Sequence, residues 1–243
     1  MRPRAPLEAL IFDVDGTLAE TEELHRRAFN AAFRAWGLPW SWSRERYRAL
    51  LAVTGGKERL LHFLETDRPA AAERGRTLVA EIHAEKTARY HALLAAEGGA
   101  LRPGVRRLLG EARAAGLRLA VATTTTPANV EALIRIAFGR PATALFEVVA
   151  AGDAVARKKP DPEVYRLALG RLGLPAGACL AFEDSANGLK AALGAGLATV
   201  VTPGLYTDGQ DFVGASLVAP SLEAVGLGEL EALVPAQAVV GLA

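Results

Sequence analysis

The chain is short of several residue types, and each shortage narrows what it can be. Cys179 is the only cysteine, so neither an internal disulfide framework nor a cysteine-based zinc site is available, and a reducing cytoplasm is the expected setting. No run of about 18 uncharged apolar residues occurs, which leaves no candidate membrane-spanning helix. The opening MRPRAPLEALIFDVDG reaches an acidic residue after a brief apolar stretch, too soon for the core of an export signal. Neither sign of charge is in excess: 28 Lys plus Arg against 27 Asp plus Glu leave +1, so no global field draws in nucleic acid or an anionic membrane. Anion binding therefore has to be local. There is no Gly-x-Gly-x-x-Gly, Gly55-Gly56-Lys57-Glu58 lacks the rest of a P-loop, and no Gly-x-Ser-x-Gly elbow occurs. Histidine is scarce too; of His25, His62, His83 and His91, the last three are expected to be ordinary helix residues.

What is present is a chain of 243 residues, 51% hydrophobic and 23% charged, which fits one globular domain carrying an insertion or one large and one small domain. Apolar runs at 7–12, 117–122, 146–151, 178–182 and 198–201 each stop at polar or turn residues, as buried strands do. Helical patterns at 105–115, 129–138, 162–172 and 185–193 lie between the later runs, most of them followed by Gly. Such alternation predicts an α/β fold, a doubly wound parallel sheet with helices on both faces and its chemistry at the carboxyl ends of the strands.

Between the first and second strands the pattern is helical only, at 20–36, 44–53, 57–64 and 72–96. The expected division is a core of 1–18 plus 97–243 and an inserted helical cap of 19–96. On the first cap helix His25, Phe29, Ala32, Phe33 and Trp36 form one apolar stripe. Trp36, Trp40 and Trp42 are expected to pack inside the cap, since no basic groove accompanies them as base stacking would require. The tail after Pro235 is expected to fray.

The strand ends carry the chemistry. Asp13 and Asp15 follow the first strand two residues apart, and carboxylates so close repel unless a cation compensates; Gly16-Thr17 adds a turn and a hydroxyl suited to facing a ligand. An Asx turn accounts for one aspartate but not for both. Glu183-Asp184 ends the fourth strand, with Ser185 as a helix N-cap. If those two strands are neighbours, four carboxylates share one edge, and oxygen ligands without nearby His or Cys favour a hard cation such as Mg²⁺. Lys158-Lys159 precedes the rigid Pro160-Asp161-Pro162; one lysine is expected to face the site as a point charge, against the alternative of a solvated surface pair. Thr123-Thr124-Thr125-Thr126 closes the second strand, where hydroxyls and free N–H groups suit phosphoryl oxygens, although a threonine run alone is weakly specific.

Asp-x-Asp-Gly-Thr, a strand ending in Thr, Lys-Pro and Glu-Asp-Ser, in that order and from separate strand ends, resemble the motifs of the haloacid dehalogenase superfamily of phosphotransferases over essentially the whole chain. The resemblance implies a haloacid dehalogenase core with a C1-type helical cap, Asp13 as nucleophile and Asp15 as general acid/base. It further implies that Thr123 and Lys159 hold the phosphoryl group, and that Mg²⁺ is held by Asp13, Glu183, Asp184 and the backbone carbonyl of Asp15. An acid role asks for a raised Asp15 pKa, which neighbouring carboxylates are expected to supply.

Within that superfamily DVDGTLAETEELHRRAFN, TGGKERLLHFL, VATTTTPANVEAL and AAGDAVARKKPDPEVYRLAL look like the CbbY-type xylulose-1,5-bisphosphate phosphatases. That likeness implies removal of the C1 phosphate to give xylulose 5-phosphate, clearing an inhibitor of Rubisco. It implies a small sugar-phosphate substrate touched by Glu20, His25, Gly55, Gly56, Lys57, Arg59, Thr124 and Thr125, and a monomer is expected. Lys57 and Arg59 are the candidates for the distal phosphate, against a solvated helix start; His25 serves either catalysis or the packing of its own helix. β-Phosphoglucomutase is similar in all four core motifs, but Thr126-Pro127-Ala128 stands where mutases usually carry a lysine. Phosphoglycolate phosphatase, with a smaller substrate, is a third possibility, and a non-catalytic phospho-acceptor is the reading from another class. The intact Asp15 and the long insertion argue against the last.

Overall fold

The computed structural model describes residues 7–234, apart from the side chains of residues 70–72 and 74. Strand β1 (Ala9–Phe12) is wholly buried near the middle of the sheet because its four residues are apolar on both faces. The other strands are β2 (Arg118–Thr123), β3 (Val148–Ala151), β4 (Cys179–Glu183), β5 (Ala198–Val201) and the short β6 (Leu217–Val218). All pair in parallel, in the order β3-β2-β1-β4-β5-β6.

Side-chain alternation divides the sheet into two unequal faces. Leu10, Phe12, Leu119, Val121, Leu180 and Phe182 point to one face, where Phe12 and Phe182 stack at 4.4 Å. Helices α5 (Val105–Ala114), α6 (Pro127–Phe138) and α9 (Leu227–Leu233) cover it. Ala9, Ile11, Ala120, Ala122, Cys179 and Ala181 point the other way, and these mostly small residues let α7 (Glu163–Leu172) and α8 (Ala186–Gly194) approach closely.

The stretch between β1 and β2 holds α1 (Glu22–Ala35), α2 (Arg44–Leu50), α3 (Gly56–Asp67) and α4 (Pro69–Glu97). Phe29, Phe33, Trp40, Trp42, Tyr47 and Phe63 give this insertion an aromatic cluster of its own. Its roots belong to the sheet: Leu24 and Ala28 on α1 and Tyr90 and Leu94 on α4 pack into the first face. Tyr206, from the loop after β5, is buried in the insertion's cluster, so the two parts also meet at the far side.

The parallel sheet, its two layers of helices and the helix-only insertion agree with the sequence pattern. Three details differ. Helix α6 starts at Pro127, earlier than the apolar pattern indicates, because Thr126 caps it by accepting from the Asn129 N–H and proline suits the first turn. Trp36 is 39% exposed, standing at the C-cap one residue past the end of α1. β6 has only two residues, too short for an alternation pattern to reveal it. The frayed tail expected after Pro235 lies outside the described residues. Among the described residues no helix is long and apolar enough to cross a membrane.

Candidate active site

Strand register builds the site. Phe12 lies opposite Phe182 and Val121, so the polar residues ending these strands emerge along one edge, and the Asp13 N–H extends the ladder to the Phe182 carbonyl at 3.0 Å. Lys159, from the loop before α7, sets Nζ 2.6 Å from both Asp13 Oδ1 and Glu183 Oε1. Tyr165 on α7 donates its hydroxyl to Glu183 Oε1 at 2.5 Å, and Thr207 donates to Asp184 Oδ2 at 3.2 Å. Lys158 turns away, holding the Gly152 carbonyl at 2.5 Å and Asp153 at 3.0 Å, so one lysine of the pair reaches the carboxylates.

The electrostatics of this nest are unbalanced. Carboxylate oxygens of Asp13, Glu183 and Asp184 lie within 4.8 Å of one another, all buried, with the Lys159 ammonium as their partner cation. Burial raises the Asp13 pKa to about 7 against the pull of Lys159, and burial with the charges of Asp13 and Glu183 pushes Asp184 well above the carboxylate range. Burial alone depresses Lys159, but Asp13 and Glu183 outweigh it and hold the ammonium charged. Glu183 Oε2 is buried without a hydrogen-bond partner. An orphaned carboxylate oxygen among all-oxygen donors fits a hard divalent cation.

Asp15 faces elsewhere. Its Oδ1 accepts from the Thr21 hydroxyl at 2.5 Å and from His25 Nε2 at 3.0 Å, and Lys86 Nζ lies 2.7 Å from His25 Nδ1. Burial works to raise the Asp15 pKa, yet His25, Thr21 and Lys86 prevail and hold it well below the carboxylate range. The expectation that neighbouring carboxylates raise it is therefore corrected: the side chain turns from the nest to the root of α1, where the charges are positive. Asp15 still lines the cavity, whereas Thr17 does not, its hydroxyl being buried without a partner.

A cavity of about 280 Å³ lies between the strand ends and the insertion. Asp13, Asp15, Thr123, Lys159, Glu183 and Asp184 form its floor. Of the residues expected to touch substrate, His25, Gly55, Gly56, Lys57, Arg59, Thr124 and Thr125 line it. Glu20 does not; its carboxylate accepts from the Leu205 N–H at 3.3 Å in a loop beside the cavity. Lys57 reaches across to Asp153 at 2.8 Å, whereas Arg59 is buried, donating to Tyr47 Oη at 3.0 Å and the Val53 carbonyl at 3.2 Å. Tyr47 in turn donates to Glu22 at 2.6 Å, which fixes the guanidinium in the wall.

Lys86, His83, Glu22 and Asn129 also line the cavity, and sequence reasoning gave none of them a role at the site. Lys86 and His83 sit on the long α4 with no motif around them, and only packing against α1 brings them in. His83 is thus more than the ordinary helix residue expected. Burial, then the charges of Lys86, Lys57 and His25, lowers its pKa from 6.5 to about 3. A neutral buried imidazole stabilises the fold above pH 6.5, and that stability is lost as pH falls toward 3, because the unfolded chain binds a proton the folded chain refuses. His83→Gln is expected to flatten the pH dependence of unfolding in this window by up to about 1.4 kcal/mol per pH unit. Denaturant titrations from pH 4 to 7 measure it, and parallel curves for the two proteins refute the assignment.

Residues 7–196 match the family model for haloacid dehalogenase-like hydrolases. The chain belongs to this family. It is 54% identical over 230 residues to the protein CbbY of Cereibacter sphaeroides, covering 94% of this chain and 99% of the relative. To the protein CbbY of Rhodobacter capsulatus it is 56% identical over 220 residues, covering 90% and 95%. The crystal structure of a CbbY mutant from Rhodobacter sphaeroides in complex with xylulose 1,5-bisphosphate superposes with a TM-score of 0.86 at 53% identity, covering 93% of this chain and 99% of that one. This haloacid dehalogenase-like hydrolase is a phosphatase.

Proposed function

We propose that the protein removes the C1 phosphate of xylulose 1,5-bisphosphate, giving xylulose 5-phosphate and clearing an inhibitor of Rubisco. The observation that carries this reading is the two-ended cavity: an acidic nest suited to a cation at its floor, facing Lys57, Arg59 and Lys86 from the insertion. One phosphate needs the floor, and a second justifies the cationic wall. The CbbY complex with the same bisphosphate supports it. We assign residues 1–18 and 97–243 to the catalytic unit and 19–96 to a cap, on the insertion's separate aromatic cluster.

Asp13, Glu183 and Asp184, with the Asp15 carbonyl, would hold Mg²⁺, which neutralises phosphoryl charge when bound. Lys159 and Thr123 orient the phosphoryl group toward Asp13. A carboxylate oxygen of Asp13 attacks phosphorus, the bond to the sugar oxygen breaks, and that oxygen takes the Asp15 proton. Asp15 is ionised in the free protein; the phosphate dianion arriving beside it raises its pKa and lets it carry that proton. Water then attacks the aspartyl-phosphate, Asp15 takes the water proton, and phosphate leaves with Asp13 restored.

The test is phosphate release with Mg²⁺ on xylulose 1,5-bisphosphate, ribulose 1,5-bisphosphate, β-glucose 1-phosphate and phosphoglycolate. Strong preference for the first is expected; equal rates on all four overturn the substrate while leaving the phosphatase. Gly188→Ala probes the cation end. A Cβ at Gly188 would stand 1.8 Å from Glu183 Oε2, at the first turn of α8 where Ser185 accepts from the Gly188 N–H. The displaced carboxylate is expected to raise the Mg²⁺ concentration needed for half-maximal rate at least about tenfold, the loss of roughly one charged contact. An unchanged Mg²⁺ titration rejects Glu183 as a ligand.

A further inference from the structure

Thr125, in the loop between β2 and α6, carries a hydroxyl that has to act as a donor if it is to hold a phosphoryl oxygen, and a hydroxyl left alone can equally well accept. In this structure Asn129 Nδ2 donates to Thr125 Oγ1 at 2.9 Å. The same amide presents Oδ1 to His91 Nε2 at 2.9 Å. The directions follow from donor and acceptor identity: Oδ1 accepts only, so His91 Nε2 carries the proton, and Nδ2 donates only, so Thr125 Oγ1 accepts there. The Thr125 proton is then free, and both Thr125 and Asn129 line the cavity.

From this chain of bonds we propose that His91 is a positioning residue for phosphate binding: it locks the Asn129 amide and so commits the Thr125 hydroxyl to donate into the cavity. Without the imidazole, the amide can rotate and Oδ1 can capture the Thr125 proton, which turns the hydroxyl from donor to acceptor. His91 is well placed for the task. Its neighbours on α4, Tyr90 and Leu94, are buried in the sheet cluster, which fixes the ring over α6. Asn129 sits in the first turn of α6, so its own backbone is held by the Thr126 cap. The role rests on the cavity taking a phosphorylated ligand and not on which sugar carries the phosphate.

The experiment uses inorganic phosphate as the probe, in the full chain with Mg²⁺, and compares His91→Leu, His91→Gln, Thr125→Val and the double variant His91→Leu/Thr125→Val. His91→Leu and Thr125→Val are each expected to weaken phosphate about tenfold, the worth of one hydrogen bond to a charged group. His91→Gln, which keeps an N–H at similar reach, is expected to restore most of it. The double variant is expected to be no weaker than either single one, because both act on one hydroxyl. With xylulose 1,5-bisphosphate the same losses are expected in KM, with kcat little changed. Ring ¹⁵N spectra of the unsubstituted protein are expected to show His91 Nε2 protonated. Additive losses, unchanged phosphate affinity in His91→Leu, or a bare Nε2 overturn the proposal. If xylulose 1,5-bisphosphate is not hydrolysed but the phosphate cycle behaves as described, the substrate reading fails and the role of His91 stands.

Discussion

Asp13→Asn is expected to abolish phosphate release, by on the order of 10⁴-fold or more, as removal of a nucleophile does. The amide keeps the size of the carboxylate, so the pocket is preserved while the attacking charge is lost. Stability is expected to move the opposite way. Asp13, Glu183 and Asp184 crowd three buried carboxylates around one ammonium, and Lys159 keeps Glu183 as a partner at 2.6 Å when Asp13 is neutral. Removing one like charge relieves repulsion, so the cation-free variant is expected to melt at or above the temperature of the unmodified chain. Saturating Mg²⁺ is expected to reverse that order, since the unmodified chain offers one more ligand; at a hundred times its Kd a bound ion adds about 2.7 kcal/mol. Retained turnover sinks Asp13 as the nucleophile, and a destabilised cation-free variant sinks the account of crowding.

Asp15→Asn is expected to lower turnover by about 10²- to 10⁴-fold, the usual worth of a positioned acid and base. The amide oxygen can still accept from Thr21 and His25, so the root of α1 is expected to stay as it is. Asp13 remains available, and a small phosphodonor is expected to phosphorylate it. The aspartyl-phosphate then persists, because no base takes the proton of the attacking water. This outcome separates acid/base chemistry from simple phospho-acceptance, in which loss of Asp15 would not alter the lifetime of the phosphorylated state. Hydrolysis of phosphorylated Asp13 at the unmodified rate would falsify the acid/base role. Mass spectrometry of the quenched protein and phosphate release read the two quantities directly.

Much of the site was legible because strand ends speak in local sequence. Asp13, Glu183 and Asp184 each close an apolar run, and parallel pairing of β1 with β4 makes them neighbours. Lys159 was legible through the rigid prolines beside it, though which lysine of the pair turned inward was settled by Lys158 finding the Gly152 carbonyl and Asp153 instead. Lys86 and His83 left no such trace. A long amphipathic helix shows which residues are polar but not which of its faces meets a cavity. Asp15 misled for a related reason: its sequence neighbours are acidic, but its spatial partners come from the helix root. Glu20 follows the first strand closely in sequence, yet the turn of the chain delivers it to Leu205.

The alternation of apolar runs with helical patterns determined the sheet, its parallel sense and the edge where the chemistry lies, because these depend on hydrophobic periods and on where apolar runs stop. The motifs determined the donor types and so the preference for a hard cation and a phosphoryl group. Tertiary structure alone decided the charge states and the contacts that set them. A carboxylate's pKa depends on what lies within a few ångströms of it, and so does the direction of a hydroxyl's proton. Asp15 tied to His25, Lys159 shared between Asp13 and Glu183, and His91 reaching Asn129 join residues far apart in the chain. Only packing brings them together.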